Sequence, residues 1–248
     1  MRFLPLFLLG SLLPCVYLQA QENDHVRIAR ENAPAVVAVN VVREDGSTFT
    51  GTGFVLTSDG LIATARHVTQ DAVYANITFN NGTVSGEAQT VAAAGNVDLA
   101  LLKIQALHLP TVQVVSSAGV QPGQTITVIG NPRRLQNTVS SGLISQVRQK
   151  ADGIIWHQIS APISPSSSGS PVFNAQGEVI SVVFASFPGE NNQNLNFSIP
   201  SDYLLELVQK AGVSLENKEQ DAAVTQKTGN PFWNHIKKSW AIVTKPFR

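Results

Sequence analysis

The sequence predicts an all-β protein, and three observations carry that prediction. β-branched and apolar residues come in short runs, turn dipeptides fall between them at close spacing, and only two segments have helical character. Such a pattern indicates a sandwich or a barrel of many short strands.

In chain order, the first segment is MRFLPLFLLGSLLPCVYLQA, with Arg2, then an apolar run, then Leu18-Gln19-Ala20 before polar residues. This is the layout of a secretory signal peptide, expected over 1–20; the alternatives are a buried helix or a retained anchor. The apolar run is short for a membrane span. Leu13-Pro14-Cys15 fits lipid attachment poorly, because a proline precedes the cysteine. Asn23 or Asp24 can cap a short amphipathic helix running to Asn32 and stopped by Pro34.

Strands are expected at 35–42 (AVVAVNVV), 53–57 (GFVLT), 61–65 (LIATA), 74–79 (YANITF), 99–104 (LALLKI), 125–130 (TITVIG), 154–160 (IIWHQIS) and 178–186 (EVISVVFAS). Asp45-Gly46, Asp59-Gly60, Asn81-Gly82, Pro122-Gly123, Asp152-Gly153, Gln176-Gly177 and Pro188-Gly189 punctuate them. Pro200-Ser201-Asp202 followed by YLLELVQKAG then gives a helix start, an apolar face and Gly212 as a stop. After Val213 the composition changes. Residues 214–228 read as a polar linker, and 230–248 place aromatic and aliphatic residues among lysines. That tail is expected either to dock on the body or to meet a membrane surface or a partner.

The chain has 248 residues, 43% hydrophobic and 14% charged, enough for one large domain or two small cores. Lys+Arg and Asp+Glu are 17 each, so no net field favours nucleic acid or an anionic membrane. Cys15 is the only cysteine and falls inside the expected signal, which removes thiol nucleophiles and cysteine-ligated zinc from a mature chain. An exported protein without disulfides needs a core that suffices without them.

Three residues carry candidate chemistry. Ser168 lies in Ser166-Ser167-Ser168-Gly169-Ser170, between two β segments. A nucleophilic serine needs a tight turn where backbone N–H groups converge on the oxyanion, and a small-residue run can supply it; by itself the run reads first as a flexible surface loop. His67 follows the apolar strand LIATA, at the rim where a general base belongs. Asp98 opens an apolar strand, and a carboxylate there is costly unless a partner such as an imidazole N–H offsets it. Singly, each has a plain structural explanation; their order in an all-β chain points to a nucleophile–base–acid set. His25, His108, His157 and His235 suit no zinc spacing and read as surface or packing residues, and neither metal nor organic cofactor is expected. Asn76-Ile77-Thr78 matches a glycosylation sequon inside a strand, and Arg133-Arg134 reads as solvated charge.

Five blocks in sequence resemble HtrA/Deg-type serine proteases. GTGFVLTSDGLIATARHV (51–68) looks like the segment around their catalytic histidine, and VDLALLKI (97–104) like the strand that begins at their aspartate. GNPRRLQNTVSSGLISQV (130–147) resembles their Gly-Asn-Pro turn and following strand. ISPSSSGSPVFNAQGEVISVV (163–183) resembles the nucleophile segment, and LNFSIP (195–200) a strand lining the substrate cleft. The resemblance runs collinearly from about residue 24 to 211. It implies a chymotrypsin-like pair of six-stranded β-barrels, at 21–112 with His67 and Asp98 and at 113–213 with Ser168. It also implies an oxyanion hole from the N–H groups of Ser166 and Ser168, and a specificity pocket from Pro162, Ile163, Ser164, Asn196, Phe197 and Ser198. With no acid at that pocket's floor, cleavage after small or medium apolar residues is expected.

Two departures matter. The family's Gly-Asn-Ser-Gly-Gly is here Ser166-Ser167-Ser168-Gly169-Ser170, which restricts the backbone at the oxyanion position and adds a side chain at 170. HtrA-type chains also carry PDZ domains after the protease, and the roughly 35 residues after the last helix are too few for one. The expectation is an exported, periplasmic or secreted endopeptidase acting on polypeptides, trimeric by family analogy. The alternative is an inert or latent protease fold that binds rather than cuts.

Overall fold

A computed structural model describes residues 23–131, 138–186 and 195–215. The expected signal peptide, Arg133-Arg134, the Pro188-Gly189 turn, and His235 with the aromatic-basic tail lie outside the described residues.

Helix α1 (Asp24–Asn32) begins where Asn23 accepts the His25 N–H at 2.9 Å, and it passes into one 3₁₀ turn at Ala33–Ala35 as Pro34 ends the α-helical ladder. Its apolar face buries Ile28. The next strands are β1 (Val36–Arg43), β2 (Thr48–Val55) and β3 (Leu61–Thr64), followed by the single-turn helix α2 (Arg66–Thr69). Strands β4 (Ala72–Thr78), β5 (Val84–Glu87), β6 (Gln89–Ala93) and β7 (Ala100–Lys103) complete an antiparallel sheet in the order β5-β4-β1-β2-β3-β7-β6. The second unit contains β8 (Thr125–Gly130), β9 (Thr138–Gln149), β10 (Ile155–Ile159), β11 (Pro171–Phe173), β12 (Val179–Ser186) and β13 (Asn196–Pro200). These close into a barrel in the order β10-β13-β12-β11-β8-β9, and α3 (Ser201–Lys210) packs on it.

The all-β class with a helix near each end agrees with the sequence, and all eight apolar runs form strands. The first unit differs in detail, being a seven-stranded sheet in which no ladder joins the edge strands β5 and β6. Those two strands are mostly exposed (VSGE and QTVAA), so they carry no buried alternation for a sequence reading to detect. The twelve-residue β9 is similarly polar along most of its length.

Period-two alternation divides the core in two. In the second barrel, Ile126, Val128, Ile144, Ile159, Val172, Ile180 and Val183 fill the interior. Their chain neighbours Ile129, Phe173, Val179 and Val182 face the other way and join one continuous core with Phe54, Ile62, Leu101 and Leu102 of the first sheet. Each such side chain contributes about 1.5–3 kcal/mol on burial. The units are also stitched along the connecting segment. Val112 donates to Val55 (3.1 Å), Val115 to Val179 (3.1 Å), and Val179 to Gln113 (2.8 Å).

Candidate active site

His67 and Asp98 are brought together by one strand pairing. β3 and β7 lie side by side with Thr64 opposite Ala100, so the residues just beyond the paired end, Ala65–His67 and Asp98–Leu99, become neighbours. There α2 turns His67 toward the carboxylate. Asp98 Oδ2 lies 2.5 Å from His67 Nδ1, and Oδ1 accepts the main-chain N–H of His67 at 2.8 Å. One carboxylate thus fixes both the ring and the backbone of the histidine. With Oδ2 accepting the hydrogen bond of Nδ1–H, Nε2 is the ring nitrogen left to act as an acceptor. The His67 side chain is 37% exposed and that of Asp98 22%, so the ring is open to solvent while its partner is more enclosed.

Two arginines brace this pair, and nothing in their sequence context marks either for the site. Arg66 Nη1 donates to Ala94 O at 2.8 Å, tying α2 to the loop that leads into Asp98. Arg43 Nη2 donates to His67 O at 3.1 Å, and its guanidinium lies 5.2 Å from the Phe49 ring centre. Phe49 in turn meets the His67 ring edge-on, with centroids 6.3 Å apart.

Ser168 arrives from the other unit, in a turn that closes on itself. Ser167 N–H donates to Ser164 O (2.9 Å), Ser170 N–H to Ser167 O (3.0 Å), and Gly169 N–H to Val183 O (2.7 Å). Ser166 N–H and Ser168 N–H have no hydrogen-bond partner among the described residues. Those are the two donors expected to form the oxyanion hole. Ser166 adopts φ +76°, a left-handed conformation that costs a serine about 1–2 kcal/mol. The sequence reading identified the restriction that Ser166 imposes; the structure places that serine in the glycine-like region.

The turn lies directly against the sheet that carries His67. Ser168 O accepts the Thr52 N–H at 2.8 Å, and Ser166 O accepts the Thr52 hydroxyl at 2.8 Å. Gly169, at φ +88°, fits so closely that a Cβ there would overlap the Thr52 carbonyl oxygen and come within 2.5 Å of Thr64 Oγ1. Thr64 ends β3, three residues before His67. The side chain of Ser170 is fully buried against Gly130, where a Cβ would sit 2.5 Å from its Oγ. The glycine opposite makes room for the extra serine.

The expected specificity residues divide into two groups. Pro162 is exposed, and Ile163 and Ser164 are half-buried, just before the serine turn. Asn196, Phe197 and Ser198 are buried at 3%, 8% and 0% exposure. Asn196 Nδ2 donates to Ala161 O at 2.8 Å, joining the two segments, while Ser198 exchanges a hydrogen bond with Ser181 and Phe197 packs on Trp156. Facing Ser198 across the β10–β13 ladder is His157, which is 2% exposed. Burial holds its pKa down to about 4, against a smaller opposing pull from the Asp202 carboxylate.

Residues 51–182 match the trypsin-like peptidase domain family. Among relatives, HhoB of Synechocystis sp. is 37% identical over 64% of this chain and 38% of its own length. The mitochondrial serine protease HTRA2 of Bos taurus is 32% identical over 82% of this chain and 46% of its own. The chain therefore spans less than half the length of these two relatives. Others, in Halomonas elongata and Chlamydia, carry names describing periplasmic endoproteases of the DegP type. Among solved structures, a serine endoprotease from Yersinia pestis superimposes with a TM-score of 0.68 at 30% identity, over 77% of this chain and 68% of that one. The chain belongs to the trypsin-like peptidase family, as an HtrA/Deg-like member with the chymotrypsin-like fold.

Proposed function

We propose that this protein is an exported serine endopeptidase in which His67, Asp98 and Ser168 form the catalytic triad. The observation that carries the reading is the two-point grip of Asp98 on His67, through ring and backbone, beside a Ser168 turn whose two candidate oxyanion donors are free of partners among the described residues.

The chemistry follows from the roles. His67 Nε2 accepts the Ser168 hydroxyl proton as Oγ attacks the peptide carbonyl carbon. Asp98 holds the Nδ1–H tautomer and stabilises the imidazolium that forms. The N–H groups of Ser166 and Ser168 receive the carbonyl oxygen as it becomes an oxyanion. The imidazolium then protonates the departing amine, leaving an acyl ester on Ser168. Water, deprotonated by the same ring, hydrolyses the ester.

Substrates are polypeptides cut after small or medium apolar residues, supported by Pro162 and Ile163 ahead of the turn and by an enclosed Asn196–Ser198 strand without an acidic side chain. Strong cleavage after Arg or Lys in a peptide library would sink that assignment. Export is supported by the periplasmic names of several relatives.

The test of the activity is labelling of the purified protein with a fluorophosphonate probe, beside Ser168→Ala and His67→Ala. Labelling of the wild type and loss in both variants is expected. A folded wild type that does not label overturns the reading and leaves a protease fold that binds without cutting.

A further inference from the structure

Thr52 of the first sheet hydrogen-bonds to both ends of the Ser166–Ser168 segment. It is fully buried in β2, paired with Ala38 of β1, and is therefore held by a rigid ladder. Its N–H donates to Ser168 O and its hydroxyl to Ser166 O, both at 2.8 Å. The hydroxyl oxygen also accepts the Asn131 N–H at 3.0 Å, so its proton is directed at Ser166. The Thr52 carbonyl is fixed in its turn by the Thr64 hydroxyl at 2.7 Å.

Of the two free N–H groups, these contacts bear on that of Ser166, while that of Ser168 is set within the turn. The Ser167 carbonyl is turned inward to Ser170 N–H, and a trans peptide then directs Ser168 N–H the opposite way. The Ser166 carbonyl is turned toward Thr52 while Ser166 stands at φ +76°, so the bond anchors the C-terminal side of the strained residue. A serine released from that contact returns to the negative φ it prefers, and its N–H swings away.

We propose that Thr52 is a positioning residue for the oxyanion turn, its hydroxyl holding Ser166 in a glycine-like conformation through the Ser166 carbonyl. This rests on the peptidase reading for its catalytic consequence. The position 166 departure from glycine is thereby compensated from the opposite unit, by a side chain that never touches substrate.

The test compares Thr52→Val, which keeps the shape and loses the hydroxyl, with Thr52→Ser, which keeps the hydroxyl. For Thr52→Val, kcat should fall about 10-fold or more, approaching the loss of one oxyanion donor, with KM within about 3-fold. Thr52→Ser should restore kcat to within about 3-fold of wild type. In a Ser166→Gly background, where positive φ is free of strain, the Thr52→Val loss should shrink. The Ser166 amide NMR signal should shift or broaden in Thr52→Val and stay in place in Thr52→Ser. If Thr52→Val does not fold, Thr52→Ala is read in the same way. An unchanged kcat in folded Thr52→Val, an equal loss in both backgrounds, or an unmoved Ser166 amide would overturn the proposal. A wild type that cleaves nothing defeats the peptidase reading instead, and the amide comparison still decides the role of Thr52.

Discussion

His67 and Asp98 sit just past the paired ends of two neighbouring strands of one sheet, and the contacts that orient them come from the same unit: the β3–β7 pairing, the Arg66 tie to Ala94, and the Arg43 bond to His67 O. The Ser168 turn is built differently. Its barrel closes the turn from one side, but Thr52 of the other unit holds the carbonyls at 166 and 168, and one of its residues stands in a conformation serine avoids. One half of the site is fixed by its own neighbourhood and tolerates ordinary backbone geometry. The other half borrows its shape across an interface and stores strain. Strain of this kind persists only where surrounding contacts over-determine it.

The comparison can be broken most severely at the self-sufficient half. Asp98→Asn keeps the shape but presents an N–H donor to Nδ1, favouring the wrong tautomer. A fall in kcat on the order of 10⁴ is expected from steady-state kinetics, with folding retained by circular dichroism. Near-normal turnover would show that Asp98 does not set the tautomer.

Next comes the borrowed half. Gly169→Ala drives a Cβ into the Thr52 carbonyl at a positive φ, so the two units must separate locally. A loss of about 3 kcal/mol or more in denaturant unfolding is expected, together with loss of activity. A stable, active variant would mean that the contact between the turn and β2 is looser than described.

His157 probes the interior of the serine-bearing barrel through pH. Its pKa is lowered from an ordinary 6.5 to about 4, so between those values the unfolded chain binds the extra proton and the folded chain does not. Stability is thus full above about pH 6.5 and declines as pH falls toward 4, by roughly 3 kcal/mol in all. Asp202 has its pKa lowered: burial pushes it up, but bonds from the Ser117 and Ser116 hydroxyls and the Ser117 N–H outweigh that. Its contribution is lost only below the ordinary carboxylate range, outside the His157 window. Urea titrations from pH 7 to 4 should show the decline in wild type and a flatter profile in His157→Gln.

The smallest effect belongs to Ser170. Its hydroxyl is fully buried and without a hydrogen-bond partner among the described residues. Ser170→Ala removes an unsatisfied donor and should leave stability unchanged or raise it by up to about 1 kcal/mol in thermal unfolding. A clear destabilisation would reveal a partner for that hydroxyl.

How much of this could be read from the chain follows the same division. Runs such as LIATA and TITVIG announce their strands because their burial is encoded in adjacent residues. The dyad follows from where two of those runs end. The strands β5 and β6 carry no such signal because their side chains face solvent. The burial of Asn196 and Ser198 was equally hidden, since it depends on the Ala161 carbonyl and the Ser181 hydroxyl far away in sequence. Thr52 between two glycines looks like any strand threonine until the other barrel is placed against it. Polar residues whose partners are distant in sequence leave no periodic signature.

The shared core through which Phe173, Val179 and Ile129 pack with Phe54 and Leu101 bears on the life of the chain before it is complete. The first sheet alone holds the His67–Asp98 pair and the Thr52 hydroxyl, but neither Ser168 nor the turn that carries it. On the proposed peptidase reading, catalytic competence then arrives only with the last strands and the docking of one unit on the other. On the same reading, a copy whose two units have parted has no assembled site.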